Sequence, residues 1–388
     1  VDVVRTPFCK GKSSGGLAGE HPVDLLAGVL DGLLCRNRLD AELVDDVIAG
    51  CTLPVAEQSG NIARHAVLAA GMPVTVPGVS IDRKCGSFQQ ALHFAAQGVI
   101  AGGYDITIAC GVEMMSVVPM RTNRMGRDDR GPRLRERFPE GFVSQGISAE
   151  LIAARWQLER ERLDEFALRS HRLAAAAQRE GRLDGHVLPV LRRDGRKVHA
   201  DEAIRSDTSA QALAGLAPAF RDSQATERFP ELTWRVTAGN SSPVTDGAAA
   251  TLVMSEERAE ALGLRPRAAV TGFSVVGDDP VLMLMGVVPA TRRLLDRAGL
   301  DHRDIDLFEV NEAFASVVLA WQAEIGADPN RVNVDGGAIA YGHPVGASGG
   351  RLLAALVDGL ERNEGRYGVM TMCESGGMAN ATLLERIT

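Results

Sequence analysis

The sequence predicts an α/β protein built from two copies of one strand–turn–helix–strand unit, with an irregular insertion after the first copy. Three observations carry this expectation. Residues 79–115, VSIDRKCGSFQQALHFAAQGVIAGGYDITIACGVEMM, run from a β-prone stretch through a small-residue turn into apolar positions at helical spacing, and then into a second strand. LDAELVDDVIAGC is paralleled later by LDHRDIDLFEVNEAF, and DITIACGVEM by GVMTMCESGG. Asp40 thus matches Asp301 and Cys110 matches Cys373, at offsets of 261 and 263. The 388 residues are 45% hydrophobic but only 4% aromatic and include 42 Gly, a composition that fits an Ala/Gly/Val-rich α/β chain.

Taken in order, VDVVRTPF reads as a first strand and GKSSGG as a loop. A helix is expected over 22–35, then a helical turn leading into the strand of LDAELVDDVIAGC, then an amphipathic helix in GNIARHAVLAAG. Within 89–101, Leu92, Ala95, Ala96, Val99 and Ile100 recur at helical spacing, and Gly102-Gly103 ends that helix. Residues 121–137 hold seven Arg against three acids and follow neither period, which reads as an exposed loop. Helices return within 149–180, with Asp164 in an N-terminal turn, and RDSQATERFPELTWR again shows no clear period. VTAGNSSPVTDGAAATLVMS is a turn and a returning strand. RVNVDGGAIAYGHPVGASGGRLLAALVDGLE then repeats strand, Gly-rich turn and helix.

The net charge of −8 argues against a general nucleic-acid binder. No apolar run is long enough to span a bilayer and no signal peptide opens the chain, so no membrane association is expected. The six cysteines form no CxxC pair and no closely spaced cluster with His. They read as reduced thiols of a cytoplasmic protein, with no metal site expected.

Four residues stand at strand ends or helix starts of the duplicated unit, where α/β sites assemble: Cys85, Asn311, His343 and Cys373. Cys85 falls in the turn before a helix, where unpaired N–H groups and the helix dipole lower a thiol pKa; the alternative is a buried structural thiol. His343 lies in AYGHPVGASGG, a Gly-rich loop without the Lys-Ser/Thr of a P-loop, and is otherwise a solvated residue in a helix entry. A Cys nucleophile with a His to take its proton is the minimum for acyl transfer. A second Cys could serve as acid and base, and an Asn could hold a water or donate to an oxyanion.

These residues resemble the thiolase family over nearly the whole chain. The matches are the Cys85 segment, NEAFA at 311–315, NVDGGAIAYGHPVGASG around His343 and CESGG at Cys373, with VTAGNSSPVTDGAA and DEAIRSDT between the halves. The resemblance implies an α/β, thiolase-like duplicated αβαβα five-layer fold. It divides the chain into an N-terminal half (1–117 plus 244–265), an inserted loop domain (118–243) and a C-terminal half (266–388). It implies a homodimer or homotetramer acting on CoA thioesters, with no bound cofactor because CoA and acyl-CoA are substrates. Cys85 would take the acyl group, and His343 would activate it and, with a water on Asn311, bind the thioester oxygen. Cys373 would move the proton on the α-carbon or the CoA thiol. The backbone N–H groups of Cys85 and Ser375 would form a second oxyanion hole, with Ser242, Gln145 and Gly342 meeting substrate and CoA.

The implied reaction is thiolytic cleavage of a 3-ketoacyl-CoA, or its reverse condensation. The alternatives are a biosynthetic acetyl-CoA acetyltransferase and, outside catalysis, an acyl-CoA or lipid-binding protein on the same fold. Phe88 and Ser375 depart from the family pattern and motivate the last. If position 375 needs φ > 0, Ser would be strained there. Ser144-Gln145 in place of the usual His-Met, and a longer segment near 221–235, point to acyl groups bulkier than acetoacetyl.

Overall fold

Each copy of the repeat builds one sheet. In a computed structural model that describes residues 1–387, the first copy supplies β1 (Asp2–Arg5), β2 (Cys9–Lys10), α1 (Pro22–Asn37), β3 (Asp46–Gly50), α2 (Ile62–Ala69), β4 (Gly78–Ile81), α3 (Ser87–Ile100) and β5 (Ile106–Met114). The next segment carries α4 (Gly131–Arg137), α5 (Gln145–Arg155), α6 (Arg160–Arg179), the hairpin of β6 (Val190–Leu191) and β7 (Lys197–Val198), α7 (Ala210–Ala214) and α8 (Ser223–Arg228). Then come β8 (Thr245–Met254) and α9 (Glu256–Ala261). The second copy holds β9 (Ala268–Gly277), α10 (Val287–Ala298), β10 (Leu307–Val310), α11 (Ala315–Ile325), α12 (Ala338–Tyr341), α13 (Ser348–Arg362), β11 (Tyr367–Glu374) and β12 (Met378–Arg386).

The two sheets share one topology. The first runs β1-β8-β5-β3-β4, with β3 parallel to β4 and β5 and β8 antiparallel to β5 and β1. The second runs β9-β12-β11-β10, with β10 parallel to β11 and β12 antiparallel to its neighbours. A parallel bridge between Phe308 and Val332 stands where β4 stands in the first copy. Asp40 and Asp301 repeat as well: each caps a short 3-10 turn by accepting the backbone N–H two residues on.

Five layers follow from where the apolar faces point. α1 and α2 cover the outer face of the first sheet, α3 and α13 lie between the sheets, and α10 and α11 cover the outer face of the second. Phe88 on α3 is fully buried in the central layer, a burial worth roughly 1.5–3 kcal/mol. Alternation along β11 sends Met370 and Met372 into this layer and Cys373 into the outer cluster. The fold class expected from the repeat is the one observed.

The segment between the copies differs from expectation in two places. Residues 121–137 are largely exposed but not wholly irregular, since α4 starts at Gly131 with a Pro in its first turn. α8 forms after Asp222, whose side chain accepts the Ala225 N–H, inside the segment read as aperiodic. Both are short and expose most of their residues, so neither leaves an apolar stripe for periodicity to find. The helical region 149–180 is two helices, broken where Gln157 takes φ 53°. Arg5 of β1, fully buried, holds Asp201 through two hydrogen bonds of 2.7 and 2.8 Å and so ties this segment to the first sheet. No helix among the described residues is long and apolar enough to cross a membrane.

Candidate active site

β4 ends at Ile81, and a tight turn delivers Cys85 just before Gly86, the N-cap of α3. The thiol is buried. Three donors near its sulfur favour the thiolate: the Ser375 backbone N–H, the Gln145 side-chain amide and the N–H of Cys85 itself. Cys373, one residue from the end of β11, lies close enough that charge on Cys85 opposes its ionisation.

The lowered Cys85 pKa expected from the helix start is not what the structure gives. Burial pushes the thiol up to about 12, with the Glu374 carboxylate adding to the rise, and the three donors offset only part of it. The helix-start donors are spent elsewhere. Gly86 N–H donates to Arg83 O (3.1 Å) and Ser87 N–H to Lys84 O (3.0 Å), closing the turn. Cys373 is likewise pushed well above the usual thiol range, first by burial.

His343 sits between α12 and α13. Its Nδ1 lies 2.5 Å from Ser348 Oγ, and that hydroxyl donates to Pro344 O at 2.9 Å. With its own proton committed, Ser348 accepts from Nδ1–H, which leaves Nε2 as the unprotonated acceptor of a neutral ring. Burial, then Arg351, pushes the imidazole down to about 4, so the ring is neutral at neutral pH. Nε2 faces Asn311 Nδ2 at 3.5 Å, and Asn311 Oδ1 is buried without a partner among the described residues.

Buried carboxyls hold these loops. Glu113 of β5 accepts from Gly346 N–H (3.0 Å), Thr52 N–H (2.9 Å) and Gln58 Nε2 (2.7 Å). Glu312 accepts from Ser170 Oγ (2.6 Å), Asn333 Nδ2 (2.9 Å) and Ile339 N–H (3.2 Å). A Cβ on Gly349, six residues past His343, would lie 3.0 Å from Gln89 N, so the starts of α13 and α3 lie side by side. The GNSS turn lies beside Asn311: Ser242 N–H donates to Ala313 O at 3.0 Å. Gly342 takes φ 94°, and a Cβ there would lie 2.1 Å from Thr245 Cγ2, so the loop before His343 requires glycine. The Thr52 hydroxyl donates to Glu113 as well, so replacing Glu113 with Ala would take the acceptor from four buried donors. The expected loss is about 3 kcal/mol or more of stability, read as a lower urea midpoint at unchanged m.

Two thiols, a neutral imidazole with an unprotonated Nε2 and an unpartnered Asn oxygen are a set for acyl transfer. The family model described as the thiolase N-terminal domain matches residues 1–257, and that of the thiolase C-terminal domain matches residues 264–386. The chain belongs to the thiolase family. Its relatives span the full chain. It is 44% identical over 395 residues to the steroid 3-ketoacyl-CoA thiolase FadA6 of Mycobacterium tuberculosis, covering 100% of this chain and 93% of that one. It is 41% identical over 396 residues to a 3-ketoacyl-CoA thiolase of Salmonella choleraesuis, covering 100% and 98%. A thiolase from Cronobacter sakazakii matches at the same identity and coverage.

This thiolase is therefore an enzyme, an acyltransferase of lipid metabolism, and the departures that motivated a binding-protein reading have structural explanations. Phe88 is not in the site. It fills the central layer against α13, beside Gly349 and Gly350. Ser375 is not strained either, because the positive φ of that turn falls on Gly376 (92°) and Gly377 (76°). Sequence reasoning missed Ser348, Glu113 and Glu374. Ser348 alone had a local signal, a hydroxyl five residues after the His at a helix start; the carboxyls act through contacts distant in sequence.

Proposed function

We propose that this thiolase cleaves 3-ketoacyl-CoA with CoA in lipid degradation, through an acyl-enzyme on Cys85. The observation that carries the reading is two buried thiols that feel each other's charge, together with a buried imidazole that Ser348 holds by Nδ1 and that faces Asn311 through an unprotonated Nε2. Cys85 sulfur adds to the C3 carbonyl while its proton passes to His343 Nε2. The oxyanion is held by the Cys85 and Ser375 N–H groups, and Gln145 donates beside them. The C2–C3 bond breaks, and its electron pair leaves as the enolate of the departing acyl-CoA. Its thioester oxygen is held by His343 and a water on Asn311, and Cys373 protonates its carbon. The Cys373 thiolate then takes the proton of CoA, whose sulfur attacks the acyl-enzyme. Cys85 leaves and recovers the proton from His343. The proton cycle closes without a metal or bound cofactor. Ser242 and Gly342 line the CoA side of this path.

The acyl group is bulkier than acetoacetyl. Supporting this are Gln145 beside the nucleophile, α8 in the longer 221–235 segment, and the steroid thiolase named among the relatives. In a panel of 3-ketoacyl-CoAs, kcat/KM is expected to be higher for a long-chain or ring-bearing substrate than for acetoacetyl-CoA. Acetoacetyl-CoA ranking first would reject this and favour a biosynthetic acetyltransferase. The chain is proposed to work in the cytoplasm as a homodimer or homotetramer. β4, an edge strand with Val79 exposed, offers a pairing edge, and light scattering gives the copy number.

A further inference from the structure

Glu374 is an acidic residue next to chemistry that has no use for a carboxylate. It follows Cys373 on β11, and strand alternation turns it to the opposite face, toward the start of α3. There it lies against the backbone of Gly86, the residue after Cys85: a Cβ at position 86 would be 1.9 Å from Glu374 Oε1. The side chain is fully buried, and neither oxygen has a hydrogen-bond partner among the described residues.

The groups around it do not neutralise it. In the turn before Cys85, Arg83 favours its charge and Asp82 opposes it. Arg83 reaches Met378 Sδ at 3.8 Å and makes no ion pair with the carboxyl. On β12, Asn380 donates to Gly86 O at 3.4 Å, and its own Oδ1 is unpaired. Deeper on α3, His93 is neutral, pushed down to about 3 by burial. An unpaired carboxylate in such a place is costly, and burial keeps the proton on Glu374 up to about pH 8.

Both thiols feel this group, since negative charge on Glu374 opposes ionisation of Cys85 and of Cys373. We propose that Glu374 is a positioning residue that sets the charge of the two-thiol site: while its carboxyl keeps the proton one thiolate can form, and once the proton is lost the carboxylate opposes it. The inference rests on the roles given above to Cys85 and Cys373. In the acyl-enzyme the thiolate is on Cys373, next to Glu374 in the chain, so a protonated Glu374 is a condition for the second half-reaction.

The test is alkylation of the full chain and of Glu374→Gln by iodoacetamide from about pH 6 to about pH 10, with the Cys85 peptide quantified by mass spectrometry. The two rate curves are expected to coincide below about pH 7. Above about pH 8 the Gln variant should react roughly tenfold faster, one unit of like-charge coupling. The kcat/KM profiles for a 3-ketoacyl-CoA should separate over the same range. Curves that coincide at every pH overturn the proposal, and so does a constant ratio at every pH, which marks a packing role. If the variant does not fold, the wild-type curve decides: a rise that breaks near pH 8 supports the proposal, and an unbroken rise overturns it. A Cys85 that is never alkylated overturns the nucleophile assignment instead, and the proposal with it.

Discussion

Replacing His343 with Ala is expected to lower kcat/KM by on the order of a hundredfold or more, with the fold intact. The size follows from the resting state of the nucleophile. With Cys85 pushed up to about 12, the resting thiol keeps its proton at pH 7. Cys85 therefore needs a proton acceptor as it attacks, and Nε2 of His343 is the ring nitrogen that Ser348 leaves unprotonated. The same ring donates to the thioester oxygen once it is charged, so one substitution removes two contributions. The pH profile carries a second signature. The ring is pushed down to about 4, so the acid limb of wild-type kcat/KM should fall near pH 4 and not near the ordinary histidine value of about 6.5. Near-normal turnover in a folded His343→Ala protein would remove the imidazole from the mechanism.

How much of this was legible in the sequence depends on how local each determinant is. The repeat was legible because hydrophobic periodicity and turn residues are local, and they recur at matching offsets around Asp40 and Asp301 and around Cys110 and Cys373. The turns that carry Cys85 and His343 were legible for the same reason. The direction of the Cys85 pKa was not. The helix start next to it is visible in sequence, but the burial that outweighs it comes from packing, and Glu374 arrives from the second copy. Ser375 shows the converse: its N–H reaches the sulfur of a residue 290 positions earlier, while the turn strain falls on the two glycines after it. The short helices α4 and α8 escaped because a helix without an apolar stripe has no period to read.

The two thiols are expected to be chemically unequal, although both are buried and both are raised. The Ser375 and Cys85 N–H groups and the Gln145 amide favour a thiolate on Cys85, whereas at Cys373 only its own backbone N–H does so and the charge of Cys85 opposes it. Donors on sulfur stabilise a thiolate and the oxyanion formed beside it, so Cys85 is the residue equipped to attack and to be acylated. Cys373, without them, is equipped to give up a proton and take it back. Incubation with a 3-ketoacyl-CoA, rapid acid quench and peptide mass analysis should therefore place the acyl group on Cys85. Cys373→Ser is expected to lower turnover by on the order of a hundredfold or more, as loss of an acid–base group does, while any trapped acyl group stays on Cys85. Cys85→Ser should carry little or no thioester-linked acyl group and show turnover at background. A label on Cys373 in the unmodified protein would reverse the two roles, because the donors around Cys85 would then serve a proton carrier. Turnover with no label on either thiol would leave the acyl-enzyme itself without support.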